Sequence, residues 1–400
     1  MRYSKTITGL TGGGSDGWDI YRKARRMQRD GTEVTMLTIG EHDIRTDAQI
    51  LDALHRFAHA GHTGYTTFDG EPELKDRIAT RLSERTGVPT TPANVLIVPG
   101  GQGGLFAAHH AICDPGDTAL YIDPYYTTYP GTIRTVGAVP RAIEARPRHG
   151  FQPQPEDIAR AADEAGNARS LLVNTPNNPT GVVYTRKTLE GIAEVCTDKG
   201  LWLLSDEVYD TQIWNGDHLS PRALPGMAER TLVIGSMSKS HAMTGSRVGW
   251  VVGPEEAIAH MANLATHTTY GISGYIQHAA AFALDLGPAF EEQIAEPFRR
   301  RRDLVMAQME GQNAARPIPA DGAMYVMVDI RSTGLSGEAF ADRLLDRHHV
   351  AVMPGESFGH AAAGHVRVAL TVADDLLVAA VARLVELAAE LAAQHAEPAQ

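Results

Sequence analysis

Several things are scarce in this chain, and each scarcity excludes something. Only two cysteines, Cys113 and Cys196, occur in 400 residues. That rules out a disulfide framework and makes a reducing, cytoplasmic compartment the simplest expectation. No run of 18 apolar residues occurs, so no membrane span is expected. The basic residues in the opening MRYSKTITGLTGGGSDGW are not followed by the apolar stretch of a secretory signal. Positive charge is in deficit: 36 Lys and Arg against 48 Asp and Glu leave a net charge of −12. The strongest basic run, Arg299-Arg300-Arg301-Arg302, lies in a helical pattern just after acidic residues. It reads as a solvated helix face, not as a nucleic-acid surface. No internal repeat is visible.

What is present is a 43% apolar chain long enough for two domains. The glycine-rich start (Gly9, Gly12, Gly13, Gly14) reads as a mobile arm, and the last dozen residues read as a fraying helix end or tail. Between them, short β-branched runs alternate with longer helical patterns. Strands are expected at Val95–Val98, Ala119–Ile122, Ser170–Asn174, Trp202–Ser205, Thr231–Ile234 and Val248–Val252. Helices are expected at Glu71–Arg85, Gly103–Cys113 and Arg186–Lys199. This alternation predicts an α/β fold with a mostly parallel sheet covered by helices on both faces. From about residue 290 the pattern changes to a smaller α+β unit: a long charged helix, a strand at Ala323–Ile330, a helix at Gly337–His348, two short strands and a closing helix from Asp374. The expected division is 1–42 as arm and part of the small domain, 43–289 as the large domain, and 290–400 as the small one.

In open parallel sheets, ligands sit at the carboxyl ends of the strands, and the unusual residues of this chain collect there. Ser236-Met237-Ser238-Lys239 follows a buried strand. A buried lysine either titrates low or is used covalently. The nearby hydroxyls, with Arg247 eight residues on, suit a phosphate. Taken alone, Lys239 is as well explained by a polar loop. Ser-x-x-Lys also begins the active-site motif of penicillin-binding proteins and β-lactamases, but their Ser-Asp-Asn and Lys-Thr-Gly elements are missing. Asp206 closes the preceding strand, where a buried carboxylate wants a cationic partner such as a protonated pyridine nitrogen. Tyr209 could donate to a ring oxygen, although Asp-x-x-Tyr is equally a helix cap with a packed tyrosine. Asn177-Asn178-Pro179 is a rigid turn that can hold the Asn178 amide in place. Pro99-Gly100-Gly101-Gln102-Gly103-Gly104, between strand and helix, can approach an anion, yet it is neither a dinucleotide fingerprint nor a P-loop. Tyr126 can stack on a planar group or simply pack. Arg367, flanked by valines, is either paired within the fold or waiting for a carboxylate. His55, His59 and His62 fall at helical spacing but lack a placed fourth ligand, and read as an exposed helix face rather than a zinc site.

In this order and at these strand ends, the motifs resemble the class I/II aminotransferases, pyridoxal-phosphate enzymes of fold type I. The resemblance runs from about Trp18 to about Leu387 and includes Gly40-Glu41, Gly64-Tyr65-Thr66 and Pro354-Gly355-Glu356-Ser357-Phe358-Gly359. It implies a ping-pong aminotransferase acting on amino acids and 2-oxo acids, with Lys239 as Schiff-base lysine and proton carrier. Asp206 would pair with the pyridine nitrogen, Tyr209 and Asn178 would bind the ring oxygen, and Tyr126 would stack on the ring. Gly101, Gln102, Ser236, Ser238 and Arg247 would hold the phosphate. Tyr65 would reach the site of the other subunit in a homodimer. Arg367, with Gly40 and Asn178, would bind the substrate α-carboxylate. One departure stands out: the proline usual after Gly-Glu is His42 here, in a loop that helps close over substrate. Within the family, the segments around Trp18, Lys239 and Asp342–His348 are most similar to arginine–pyruvate transaminases. A guanidinium would then need a carboxylate, and Asp16, Asp19 and Asp43 are the candidates; an aromatic substrate would instead need apolar walls, and an aspartate-like one is the third alternative. A β-lyase of the same fold has the same site residues. A non-catalytic regulator would carry an added DNA-binding domain for which no segment is spare.

Overall fold

The computed structural model describes residues 1–12 and 17–396. Gly13, Gly14, the candidate carboxylate Asp16 and the last four residues lie outside the described residues. The strands, in chain order, are β1 (Thr35–Leu37), β2 (Val95–Val98), β3 (Thr118–Asp123), β4 (Val139–Glu144), β5 (Ala168–Asn174), β6 (Trp202–Asp206), β7 (Thr231–Ser236), β8 (Gly249–Val252), β9 (Arg316–Pro317), β10 (Tyr325–Asp329), β11 (Val350–Pro354) and β12 (His365–Ala369). Seven of them form one sheet in the order β2-β8-β7-β6-β5-β3-β4, and the other five form a second in the order β1-β11-β12-β10-β9.

The large sheet is parallel except for β8, which runs antiparallel to both β2 and β7. Its central strands are apolar on both faces because both are covered. Neighbouring side chains point to opposite sides of a strand, so Leu172, Leu204 and Ile234 enter one core with Leu105 and Ala108 of helix Gly100–Ile112. Leu171, Val173 and Leu203 enter the other with Leu189 and Ile192 of helix Arg186–Asp198. The register pairs Asn174 with Asp206 and Asp206 with Ile234. Three adjacent strands therefore end at nearly one level, and their following loops share one rim.

The second sheet packs Val326, Val328, Val350, Val352, Val366 and Val368 against helices Gly337–His348 and Asp374–Ala396. The N-terminal part of the chain joins it: β1 pairs in parallel with β11, and Ile20 and Ala24 of helix Asp19–Arg29 enter the same core. At the start of the chain, Lys5–Thr8 is a short helix, and the Leu10 carbonyl accepts from Arg134 at 2.9 Å. That bond ties Leu10 to helix Tyr129–Thr135 of the large-sheet side, within the described part of the expected arm. The arginine run differs from expectation. Arg299, Arg300 and Arg302 pair with Glu292, Glu296 and Asp303, but Arg301 is buried between Asp43 and Asp374. His55, His59 and His62 are exposed. No helix of the described residues is long and apolar enough to cross a membrane.

Candidate active site

The shared rim opens into a cavity of about 500 Å³, a size suited to a small ligand and its cofactor. The ends of β5, β6 and β7 and the segments that follow deliver Asn178, Asp206 with Tyr209, and Ser236, Ser238 and Lys239. Gly101 and Gln102 come from the first turn of helix Gly100–Ile112, Tyr126 from the loop after β3, Gly40 from the loop after β1, and Arg367 from β12. Of the residues expected to bind the cofactor or the α-carboxylate, Tyr65 alone does not line this cavity. It is 89% exposed, edge-on to Tyr270 on the outer surface.

Lys239 sits in a four-residue helix, Met237–Ser240, capped by Ser236, whose hydroxyl accepts from the Ser238 N–H. Its ammonium is largely buried and donates to the Gly40 carbonyl. Burial lowers its pKa to about 8; Glu41 opposes the shift, and Arg367 and Arg247 add to it. A useful share of free amine thus exists near neutral pH. Opposite lies Asp206, which accepts from the Tyr129 hydroxyl at 2.7 Å and, at 3.4 Å, from the Val208 N–H. No cation of the described residues pairs with it. Burial raises its pKa to about 6, and the bonds from Tyr129 and Val208 only partly offset that. A buried carboxylate in this state gains from any cationic group brought beside it.

At one end of the cavity, Arg247 adopts a left-handed backbone (φ 51°) that turns it back over the serines. Its Nη1 donates to the Thr244 carbonyl at 2.7 Å and lies 3.5 Å from Ser238 Oγ. No carboxylate among the described residues pairs with it. Gly100 suits this place, since its φ of 71° is left-handed and a Cβ would push the guanidinium aside. The Gln102 side chain is engaged by Thr128 and Thr132, so this end offers helix first-turn N–H groups, hydroxyls and one arginine. That donor set matches a phosphate.

At the other end, Arg367 is 2% exposed. Its guanidinium lies between the rings of Tyr325 and Phe358, 4.3 and 4.4 Å from their centroids. One amino group donates to Asn178 Oδ1 at 2.7 Å and the other to the Thr38 carbonyl, while Nε has no partner. Burial lowers its pKa. A desolvated fork with no carboxylate is arranged for one that arrives with a ligand. Tyr325 ties this end to the middle: its hydroxyl is 2.9 Å from that of Tyr209 and 3.5 Å from Asn178 Nδ2. It also stands where a Cβ on Gly40 would be, so only glycine fits in that loop.

From sequence alone, Tyr325 and Tyr129 carry no role, nor do Phe358 and Glu41, which appear there only as members of motifs. The first three look like ordinary core aromatics, and their role shows only in whom they touch. Of the three carboxylates proposed for a guanidinium, Asp43 is taken by Arg301 at 2.9 and 2.7 Å. Asp19 lines an adjoining cavity and pairs with Arg22 at 2.6 Å. Besides Asp206, the carboxylate that lines the main cavity among the described residues is Glu41.

A parallel α/β sheet with a strand-end lysine, a facing aspartate and two arginines at opposite ends defines a class of group-transfer enzyme. Residues 32–384 match the family model described as aminotransferase class I and II. The chain is 42% identical to an arginine–pyruvate transaminase of Pseudomonas aeruginosa, covering 98% of this chain and 100% of the relative. It is 36% identical to an aspartate/prephenate aminotransferase of Thermus thermophilus, covering 91% and 93%. Among solved structures, aspartate aminotransferase from Thermus thermophilus with maleate superposes with a TM-score of 0.89 at 33% identity, over 97% of this chain and 100% of that one. An aromatic aminotransferase from Pyrococcus horikoshii gives 0.86 at 29%, over 92% and 99%. The chain belongs to the class I and II aminotransferases, with the fold of the type I pyridoxal phosphate enzymes, and it is an aminotransferase.

Proposed function

We propose that this aminotransferase uses pyridoxal 5′-phosphate held on Lys239, and that its amino donor is arginine or a similarly cationic amino acid. The observation that carries the cofactor reading is the set of unpaired charges: Asp206 without a cation, Arg247 without an anion, and a buried lysine of low pKa between them. Each is costly alone and is compensated by one planar molecule with a basic ring nitrogen and a phosphate. Asp206 would hold the ring nitrogen protonated. Tyr209 and Asn178 would hold the ring oxygen, Tyr126 would cover the ring, and Gly101, Gln102, Ser236, Ser238 and Arg247 would bind the phosphate. The cofactor, once bound, supplies an electron sink for the bond broken at the substrate Cα.

Arg367 binds the α-carboxylate in this reading, with Asn178 and the Gly40 loop beside it, and so fixes which substituent of Cα points toward Lys239. The Lys239 amine takes the Cα proton and carries it. Tyr325 and Tyr126, on the cavity wall, would keep water away from that transfer. With these roles assigned, Glu41 is the one charged side chain left on the cavity wall among the described residues. A donor with a cationic side chain finds a partner there, whereas a second carboxylate finds none. The 42% identity to a protein named arginine–pyruvate transaminase supports the same donor. The exposed Tyr65, beside Tyr270 and Phe68, fits a homodimer in which it reaches the phosphate of the other subunit's site. Buried, free Cys113 and Cys196 suit a cytoplasmic enzyme.

A panel of amino donors, assayed with pyruvate and with 2-oxoglutarate, tests the reading. Arginine with pyruvate should give the highest rate and parallel double-reciprocal lines. No rate with arginine above background would remove the substrate assignment.

A further inference from the structure

The loop that follows β1 carries His42 where the family pattern has proline, and the structure gives that histidine a specific engagement. Its Nε2 lies 3.0 Å from the carbonyl oxygen of Lys239. A carbonyl only accepts, so Nε2 carries the hydrogen; Nδ1 is buried without a partner. The ring stands edge-on to Phe298, centroids 5.1 Å apart. Burial and the neighbouring Lys239 ammonium hold its pKa down to about 3, with the bond to the Lys239 carbonyl and Asp43 opposing them, so the ring is neutral at working pH. Four residues on, the Thr46 hydroxyl donates to the Ala242 carbonyl at 2.6 Å. Both acceptors belong to the short lysine helix or its exit, whose last carbonyls have no partners inside the helix. In the opposite direction, Lys239 Nζ donates to the Gly40 carbonyl. Loop and lysine are thus joined by two reciprocal bonds, side chain to main chain each way. Proline has no side-chain donor and could make neither the His42 bond nor a substitute for it.

We propose that His42 is a positioning residue: its Nε2–H bond to the Lys239 carbonyl fastens the substrate-side loop to the lysine helix and thereby sets the place and dryness of Nζ. The proposal rests on Lys239 being the amine of the site described above. The charged groups facing Lys239 are Glu41, Arg367 and Arg247, and the one facing His42 besides Lys239 is Asp43. None of them changes when a neutral imidazole is replaced by a neutral side chain. A shift in the proton affinity of Lys239 in such a variant therefore reports a change of position or hydration, not a lost charge.

The test compares wild type, His42→Leu and His42→Gln. In each protein stripped of cofactor, reductive methylation of Lys239 is followed by peptide mass across pH, and kcat and KM are measured on the loaded enzyme. Wild type should titrate near 8. His42→Leu should titrate about one unit higher, a roughly tenfold rise in proton affinity, with kcat about tenfold lower and KM little changed. His42→Gln, whose amide can donate to the same carbonyl, should fall between the two. If His42→Leu does not fold, His42→Pro takes its place with the same expectation. A leucine or proline variant whose Lys239 titrates as in wild type overturns the proposal, even if its melting temperature drops. A wild type that fails to bind pyridoxal phosphate would instead overturn the cofactor reading, and the methylation curves would still decide the role of His42.

Discussion

Asp206 and Asp210 lie four residues apart, at the end of β6 and just beyond it; both are shielded from water, and they are treated oppositely. Asp210 pairs with Arg81 and Arg85, which also share Glu291. Burial would raise its pKa, but Arg85 and Arg81 outweigh burial and hold it below the usual range. Asp206 has a tyrosine hydroxyl and a backbone N–H, and burial wins. The same contrast separates two buried arginines. Arg301 is closed off by Asp43 and Asp374, whereas Arg367 has aromatic faces, an amide and a carbonyl. Where the fold uses charge for its own cohesion, it supplies the counter-charge; where it leaves a buried charge open, the complement comes with a ligand. A ligand-site residue can then be lost at little cost to folding, while a network residue cannot.

Four substitutions press on that contrast. Lys239→Ala should lower turnover by about 10⁴-fold or more, since it removes the proton carrier, and should leave the melting temperature unchanged or raised. Arg367→Gln should lower kcat/KM for the amino donor by roughly 10²- to 10³-fold, the scale of a buried charge pair, again without a loss of melting temperature. Asp210→Asn should do the reverse: it leaves Arg81 and Arg85 short of a partner, costs roughly 2–4 kcal/mol after allowance for the partial exposure of Arg85, and keeps kcat within a few-fold. Denaturant titration and steady-state kinetics on the same preparations measure both sides.

The smallest effect concerns pH. A carboxylate whose folded pKa is raised binds its proton more tightly in the folded chain. Stability is therefore lost as pH rises from the unfolded value of 3.8 to the folded value of about 6, and the full penalty applies above that. In cofactor-free protein, Asp206→Asn should be more stable than wild type at pH 8 by on the order of 1–3 kcal/mol, with the gain vanishing below about pH 4. Equal stability at pH 8 would mean that Asp206 is better compensated than its partners indicate.

Much of the site was legible because strand ends announce themselves. Apolar runs ending in Asn174, Asp206 and Ser236 place their loops on one rim, and Arg247 follows only eight residues after Lys239. The sheet was less complete in the sequence. β4, Val-Pro-Arg-Ala-Ile-Glu, is an edge strand with a proline and mostly solvent-facing side chains, so it offers no apolar run. β1 is three residues long and is a strand only through its pairing with β11. Asp43 looked free because its partner Arg301 is 258 residues away, and Arg301 itself is hidden in a run of four arginines until helical phase turns it inward. Tyr325 carries no motif; two hydroxyl contacts and the face it offers Arg367 exist only once β10 and β12 are paired.

The most direct test of the account is to load the full-length protein with pyridoxal phosphate, reduce it with borohydride and map the peptides. The cofactor should be found covalently attached to Lys239, at about one per chain, and absent from Lys239→Ala. Attachment at another lysine, or none in wild type, would contradict the assignment of this cavity as the site of transfer.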